Sequence, residues 1–360
     1  MKDCVVVGGG LIGMLSAHEL ALAGVQVTIV ERGQTGQESS WAGGGILSPL
    51  YPWRYPDAVN DLARWGQARY QRLAESLYEL SDIDPEWQQS GLLMLDVADQ
   101  AEALAWAERR AVRLEVLVDE AVAHCDAALP AFQGSALWMP EVAQIRNPRL
   151  LSALRKVLEQ RGVVFEEQTE VLGFQQEAGR VVAVETSQGV RHTGKVVIAS
   201  GAWSRTLLDD LGAGIEIEPV RGQMLLYKGE PGLLKTIVMA DGHYVIPRRD
   251  GHVLVGSTVE YVGFDKSTTT AAADALRQIA ETLVPALAEV AVVRHWAGLR
   301  PGSLEGVPYI GEHPEITGLY VNTGHFRNGV VLGYASAKLL GDIVLGRQSD
   351  FEVSRYAIER

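Results

Sequence analysis

Apolar positions open the chain as a continuous run, Val5-Val6-Val7, which breaks at Gly8-Gly9-Gly10-Leu11-Ile12-Gly13 and returns from Val25 to Val30 before stopping on Glu31. This order predicts strand, glycine turn, helix and second strand, the βαβ unit that binds a dinucleotide. Gly8 serves the tight turn, Gly10 lets backbone approach a pyrophosphate, and Gly13 lets helix pack closely on strand. The amides at the helix start then face the phosphates. Glu31, closing the second strand, is placed to accept hydrogen bonds from ribose hydroxyls. The small Ser16 and Ala17 on the helix agree with close packing. The motif leaves open whether the adenine dinucleotide dissociates as a cosubstrate or stays bound as a flavin.

Further along, Asp57 to Leu80 reads as a long helix with Leu62, Trp65, Leu73 and Leu80 among its apolar positions. Pro148 to Gln160 reads as another, with Asn147 as N-cap, Pro148 in the first turn and Gly162 just past the end. Short strands follow at Val163 to Glu166, Arg180 to Glu185 and Lys195 to Ala199, the last ending in small residues before a helix that opens at Ser204. From Ile215 to Val293 the pattern changes to two-residue alternation, with strands at Ile217 to Tyr227, His243 to Pro247 and His252 to Ser257, the last two joined by a turn at Arg249-Asp250-Gly251. A strand at Leu319 to Asn322, a glycine turn and a helix from about Asn328 to Leu345 complete the series. The expectation is an α/β nucleotide-binding fold with an inserted mixed or antiparallel sheet.

Composition narrows the function. With 360 residues, 47% hydrophobic and 21% charged, the chain can bury two sizeable cores. Its formal net charge of −13 argues against nucleic acid and anionic membrane partners, so an anionic substrate needs a local cationic site. Cys4 and Cys125 supply no disulfide framework or C-x-x-C, and the eight histidines show no H-E-x-x-H, so no metal site is expected. No apolar run approaches the roughly 20 residues of a membrane span, and Met1 to Val7 is too short for a signal-peptide core. A cytoplasmic protein is expected.

Three more segments, with a fourth that falls in order among them, carry a resemblance. Ser39-Ser40-Trp41-Ala42-Gly43-Gly44-Gly45-Ile46 resembles the second phosphate and flavin-contacting loop of the D-amino acid oxidase and glycine oxidase superfamily. Trp296-Ala-Gly-Leu-Arg300-Pro-Gly and Gly324-His-Phe-Arg327-Asn-Gly329 are similar to its substrate-arginine and flavin-covering motifs, and Ser200-Gly201-Ala202-Trp203-Ser204 falls in the same order. Within the superfamily the likeness is strongest to its bacterial glycine oxidase branch, associated with the thiamine thiazole ring.

The resemblance implies an FAD-binding Rossmann-like domain of the glutathione reductase type, formed by 1–80, 147–215 and 300–360. The substrate-binding domain would be formed by 81–146 and 216–299. It implies FAD contacts from Gly8, Gly10, Leu11, Ile12, Gly13, Glu31, Arg32, Ser39, Ser40, Gly44, Gly45, Ile46 and Gly201, with Val171 holding the adenine through its backbone. His325, Phe326, Arg327, Asn328, Gly329, Val330 and Val331 would line the flavin ring, where the positive end of the last helix would stabilise charge on reduced flavin. With no cysteine after Cys125, FAD should be noncovalent.

Arg300 is the implied carboxylate clamp, a planar fork matched to a carboxylate. Tyr244 aligns with the family tyrosine that bonds the same group, and Arg327 is a second carboxylate or flavin contact. His243 adjoins Tyr244, but strand alternation points it to the other face. The implied reaction is oxidation of glycine, sarcosine or small D-amino acids by hydride transfer to flavin, with oxygen as acceptor and peroxide, ammonia and glyoxylate as products. A homo-oligomer, as a tetramer, is also implied. Competing readings are a sarcosine- or D-amino-acid-selective oxidase, a dehydrogenase, a non-catalytic flavin-binding protein and an NAD-dependent enzyme.

Overall fold

The computed structural model describes residues 3–359. Met1 and Lys2, which head the stretch weighed as a leader, lie outside the described residues. Because the strand Asp3–Val7 is apolar on both faces, it can be covered only from above and below. It lies inside a six-stranded sheet in the order Tyr309–Glu312, Leu319–Thr323, Val196–Ile198, Asp3–Val7, Gln26–Val30, Val164–Glu166. All pairs are parallel except the first. One face packs into a core shared by the helices Leu11–Leu22, Asp57–Ser81, Asn147–Gln160 and Gly329–Leu345. The other face meets a three-stranded sheet of Val171–Glu177, Arg180–Thr186 and Gly189–His192.

The first helix sits directly on its strand. A Cβ on Gly13 would lie 1.9 Å from the Gly8 carbonyl oxygen, and Gly8 itself has φ of 109°. The glycine spacing is therefore a packing requirement as much as a phosphate one.

The second sheet has eight strands, ordered Val292–Gly302, Glu218–Lys228, His252–Gly256, His243–Pro247, Ile237–Ala240, Leu92–Leu95, Ser135–Met139 and Glu115–Val118. It is antiparallel save for the Ile237–Ala240 and Leu92–Leu95 pair. Alternation sorts its side chains. Met224, Tyr244, Ile246 and Leu254 share one cluster, while Leu225, Tyr227, Val245, Val253 and Val255 pack on the other face against the helix Thr270–Leu283.

That helix corrects the expectation of alternation throughout 215–293. Leu276, Ala280 and Leu283 recur at helical spacing, and Thr269 caps the start by accepting the Ala272 N–H at 3.3 Å. Asn147 is the first residue of its helix rather than its cap. Its side-chain amide donates to the Ser40 carbonyl at 2.9 Å instead. Leu80 is exposed, since the long helix has turned its stripe away by its last turn. One apolar stretch, Phe326–Leu345, does reach spanning length, with a mean hydropathy of 1.2 and 67% of its most apolar window buried inside the protein. It is apolar all round because helices and sheet surround it.

Candidate active site

A single cavity runs between the two sheets, and most of the residues singled out from the sequence line it. At one end stand Gly8, Gly10, Leu11 and Ile12 from the glycine turn, with Glu31, Arg32, Ser39, Ser40, Val171 and Gly201 around them. The Glu31 carboxylate is fixed by two backbone donors, Gly9 N–H to Oε2 at 2.8 Å and Gly33 N–H to Oε1 at 2.9 Å. Each oxygen keeps lone pairs for a further donor, such as a ribose hydroxyl. The Arg32 guanidinium lies 3.7 Å from the centre of the Trp203 ring, and the Ser40 hydroxyl accepts the Leu11 N–H at 2.8 Å.

Gly44, Gly45 and Ile46 form the bend between nucleotide end and second sheet. Gly45 has φ of 75°, and a Cβ there would lie 2.0 Å from the Ile145 carbonyl oxygen. The bend is held by Arg248, which sequence reasoning missed. From a buried position it donates to the Gly44 carbonyl at 2.7 Å, the Ile145 carbonyl at 3.1 Å and Gln144 Oε1 at 2.6 Å. Burial, and then the neighbouring Arg146, pull its pKa down to about 10, which still leaves it cationic at neutral pH.

At the far end, three strands and one turn bring together Arg300, Tyr244, Met224, Gly222 and Arg327. Arg300 donates from Nη1 to the Thr258 carbonyl at 3.1 Å and from Nη2 to Ser257 Oγ at 2.7 Å. Arg327 donates to the Gly242 carbonyl at 3.2 Å. Among the described residues neither guanidinium has a carboxylate at ion-pair distance. Burial lowers the Arg300 pKa below the usual arginine range; the nearby Tyr244 phenol opposes this and Arg327 adds to it. Two cations facing one end of the cavity, with no carboxylate at ion-pair distance from either among the described residues, make a site that favours an anion.

Gly222 makes room for this arrangement: a Cβ there would lie 2.1 Å from Arg300 Nη2 and 2.3 Å from its central carbon. Gly222→Ala is expected to push the guanidinium off its two acceptors and raise the KM for a carboxylate substrate by about tenfold or more, since a displaced fork loses its paired bonds. Steady-state kinetics at unchanged FAD content measure this. A glycine inside a strand marks close approach of another group, and that signal was present in the sequence.

His325, Phe326, Arg327, Gly329 and Val330 also line the cavity. His325 is buried with Nε2 2.9 Å from Ser336 Oγ, and burial lowers its pKa to about 3, so it is neutral at working pH. Three expected cofactor contacts lie off the wall. Gly13 is behind the glycine turn. Asn328 is buried beneath the helix start, and Val331, 1% exposed, faces the helical core because one further residue turns the side chain about 100° from Val330. Tyr244 lines the cavity, whereas His243 is not part of its wall.

The walls fit an extended dinucleotide. Close-approach glycines, a helix start and a paired-acceptor carboxylate lie at one end of the cavity, and the start of the helix Gly329–Leu345 faces its middle.

Comparison with known proteins agrees. The family described as "FAD dependent oxidoreductase" matches residues 3–343. A glycine oxidase of Pseudomonas aeruginosa is 51% identical over 98% of this chain and 97% of that relative. The crystal structure of glycine oxidase from Geobacillus kaustophilus superposes with a TM-score of 0.94 at 30% identity, covering 99% of this chain and 98% of that one. A bifunctional protein ThiO/ThiG of Synechocystis is 30% identical over 96% of this chain but only 52% of its own length. A match over nearly the whole chain, together with a cavity built for an extended dinucleotide, places this protein in the family of FAD-dependent oxidoreductases.

Proposed function

We propose that this chain oxidises glycine, and also sarcosine and small D-amino acids, to an imine that hydrolyses to glyoxylate and ammonia, with oxygen reduced to hydrogen peroxide. The observation that carries this reading is the unpaired Arg300 beside Tyr244 at one end of a cavity whose other end fits the dinucleotide. Bound FAD supplies the acceptor for the hydride and its later discharge to oxygen.

The residues bind and orient. Arg300 has one N–H on each terminal nitrogen committed to Thr258 or Ser257, which leaves a second on each for a carboxylate. The Tyr244 hydroxyl, which donates to Met224 Sδ at 3.5 Å, would turn to the carboxylate as a third donor. Anchored so, the amino acid presents its Cα–H to the middle of the cavity, and apolar walls at Ile46 and Met224 exclude water. His325 is neutral and bonded to Ser336, and among the described residues no carboxylate pairs with Arg300 or Arg327, so no protein base is assigned. The substrate amine must lose its proton to solvent before its lone pair can drive hydride loss.

The full-length match to relatives named glycine oxidase, and the ThiO/ThiG relative in which the match fills about half, support supply of the imine to thiazole synthesis for thiamine. FAD is proposed to be noncovalent, since the last cysteine is Cys125. An assembly of identical chains, a tetramer by resemblance, belongs to the same reading.

Anaerobic addition of glycine to the yellow protein is expected to bleach the flavin, and admission of air to restore it with peroxide. Because the free amine is the donor, kcat/KM is expected to rise with pH from neutrality toward the amine pKa. A flavin that none of glycine, sarcosine, D-alanine or D-proline reduces would overturn the activity while leaving the fold.

A further inference from the structure

The hydrogen bonds that aim Arg300 continue beyond Thr258. The Thr258 hydroxyl donates to Glu260 Oε1 in a short bond and accepts the Gln223 N–H at 2.9 Å, while the Thr258 N–H reaches the Gln223 carbonyl at 3.4 Å. Glu260 is tied to Arg221 four times. The two exchange backbone bonds of 2.9 and 3.0 Å, and Arg221 donates from Nη2 and Nε to Glu260 Oε2 at 2.5 and 3.1 Å. Gln223 Nε2 donates to Glu260 Oε1 at 2.9 Å, and Gln223 Oε1 accepts the Thr269 N–H at 2.9 Å. Arg221 is 4% exposed and also meets Asp265 Oδ2 at 2.5 Å.

These residues flank the floor of the site. Arg221 and Gln223 stand either side of Gly222, and by alternation they face away from the cavity while Gly222 faces Arg300. The network therefore grips, from the far side of one strand, both the surface under the guanidinium and the segment whose carbonyl and hydroxyl receive it. A buried cation with two carboxylates and no route to the substrate is costly unless it fixes geometry.

We propose that the Thr258 hydroxyl, Glu260 and Arg221 are positioning residues for the carboxylate-binding arginine, holding the Thr258 carbonyl where it aims Arg300 Nη1. This rests on the reading that Arg300 binds the substrate carboxylate. None of the three touches substrate; each acts through Arg300. Binding of the carboxylate is thus the step they control, and hydride loss from a substrate already bound is affected much less.

The test uses FAD-loaded enzyme and Thr258→Val, which removes the hydroxyl and keeps the branched shape. It is expected to raise glycine KM, and the Kd of acetate read from flavin absorbance, by about tenfold, as for loss of one aligned hydrogen bond. The kcat should stay within about threefold, and Thr258→Ser should restore both constants. Glu260→Gln, which keeps side-chain size, should shift them in the same direction, and it carries the test if Thr258→Val loses FAD. Wild-type KM and acetate Kd in both variants, or a loss confined to kcat, would overturn the inference. Arg300→Ala in the same titration separates the two readings. If it leaves acetate binding unchanged the carboxylate assignment fails, and if it abolishes binding while Thr258→Val and Glu260→Gln keep the wild-type acetate Kd, only the network's role fails.

Discussion

Arg300→Ala is expected to lower kcat/KM for glycine by roughly 30- to 4000-fold, the equivalent of about 2–5 kcal/mol, because the substrate carboxylate is left in a desolvated pocket without its partner. The size of the effect follows from what surrounds the arginine. Its terminal nitrogens are oriented by Thr258 and Ser257, it has no competing acid among the described residues, and the apolar walls keep water from substituting. Arg327 retains a charge in the same cavity, so the loss should fall short of complete. Arg300→Lys should recover only part of the loss, since an ammonium cannot serve two acceptors and a bidentate carboxylate together. Steady-state kinetics with glycine decide the matter, and unchanged values would remove Arg300 from the site.

The second large effect is expected at Gly13. Alanine there would set a Cβ 1.9 Å from the Gly8 carbonyl oxygen and 3.1 Å from its carbon, and both contacts are backbone. No rotamer relieves them, so the first helix must move off the strand and carry the phosphate-facing amides with it. The expected outcome is a destabilisation of about 3 kcal/mol or more and a purified protein with little or no FAD, at or beyond the upper end for overpacking. Gly194→Ala provides the control, since a Cβ there meets nothing within 4 Å and φ is not in the left-handed region. Melting temperature and FAD per chain for the two variants should diverge; matching values would show that the turn tolerates displacement.

The nucleotide half of the site was legible because its determinants are local. Gly8, Gly10, Gly13 and Glu31 lie within one βαβ unit, where spacing alone dictates geometry. Arg300, Tyr244 and Arg327 were legible only through resemblance, since nothing in a strand arginine says that a glycine on the neighbouring strand leaves room for its head group. Arg248 was invisible for the same reason, because its acceptors Gly44, Gln144 and Ile145 come from distant parts of the chain. The helix Thr270–Leu283 was lost inside a region read as strands, though Thr269 and the spacing of Leu276, Ala280 and Leu283 were in view. Asn147 shows the opposite error, a good capping residue by type whose side chain is claimed by a tertiary contact to Ser40.

The order of strands in the central sheet also has a consequence for how the chain is made. The strand Asp3–Val7 has as one neighbour Val196–Ile198, which pairs in turn with Leu319–Thr323, and the helix Leu11–Leu22 rests on Gly329–Leu345. The nucleotide core therefore cannot close until Leu319–Thr323 and Gly329–Leu345 have been made. Its apolar βαβ unit must wait, partly uncovered, for a helix almost as apolar that lies far along the chain. Such long-range closure is slow and exposes sticky surface on the way. A shortage of flavin or a truncated C-terminus should thus appear in cells first as insoluble protein, before any change in the catalytic constants of the molecules that do mature.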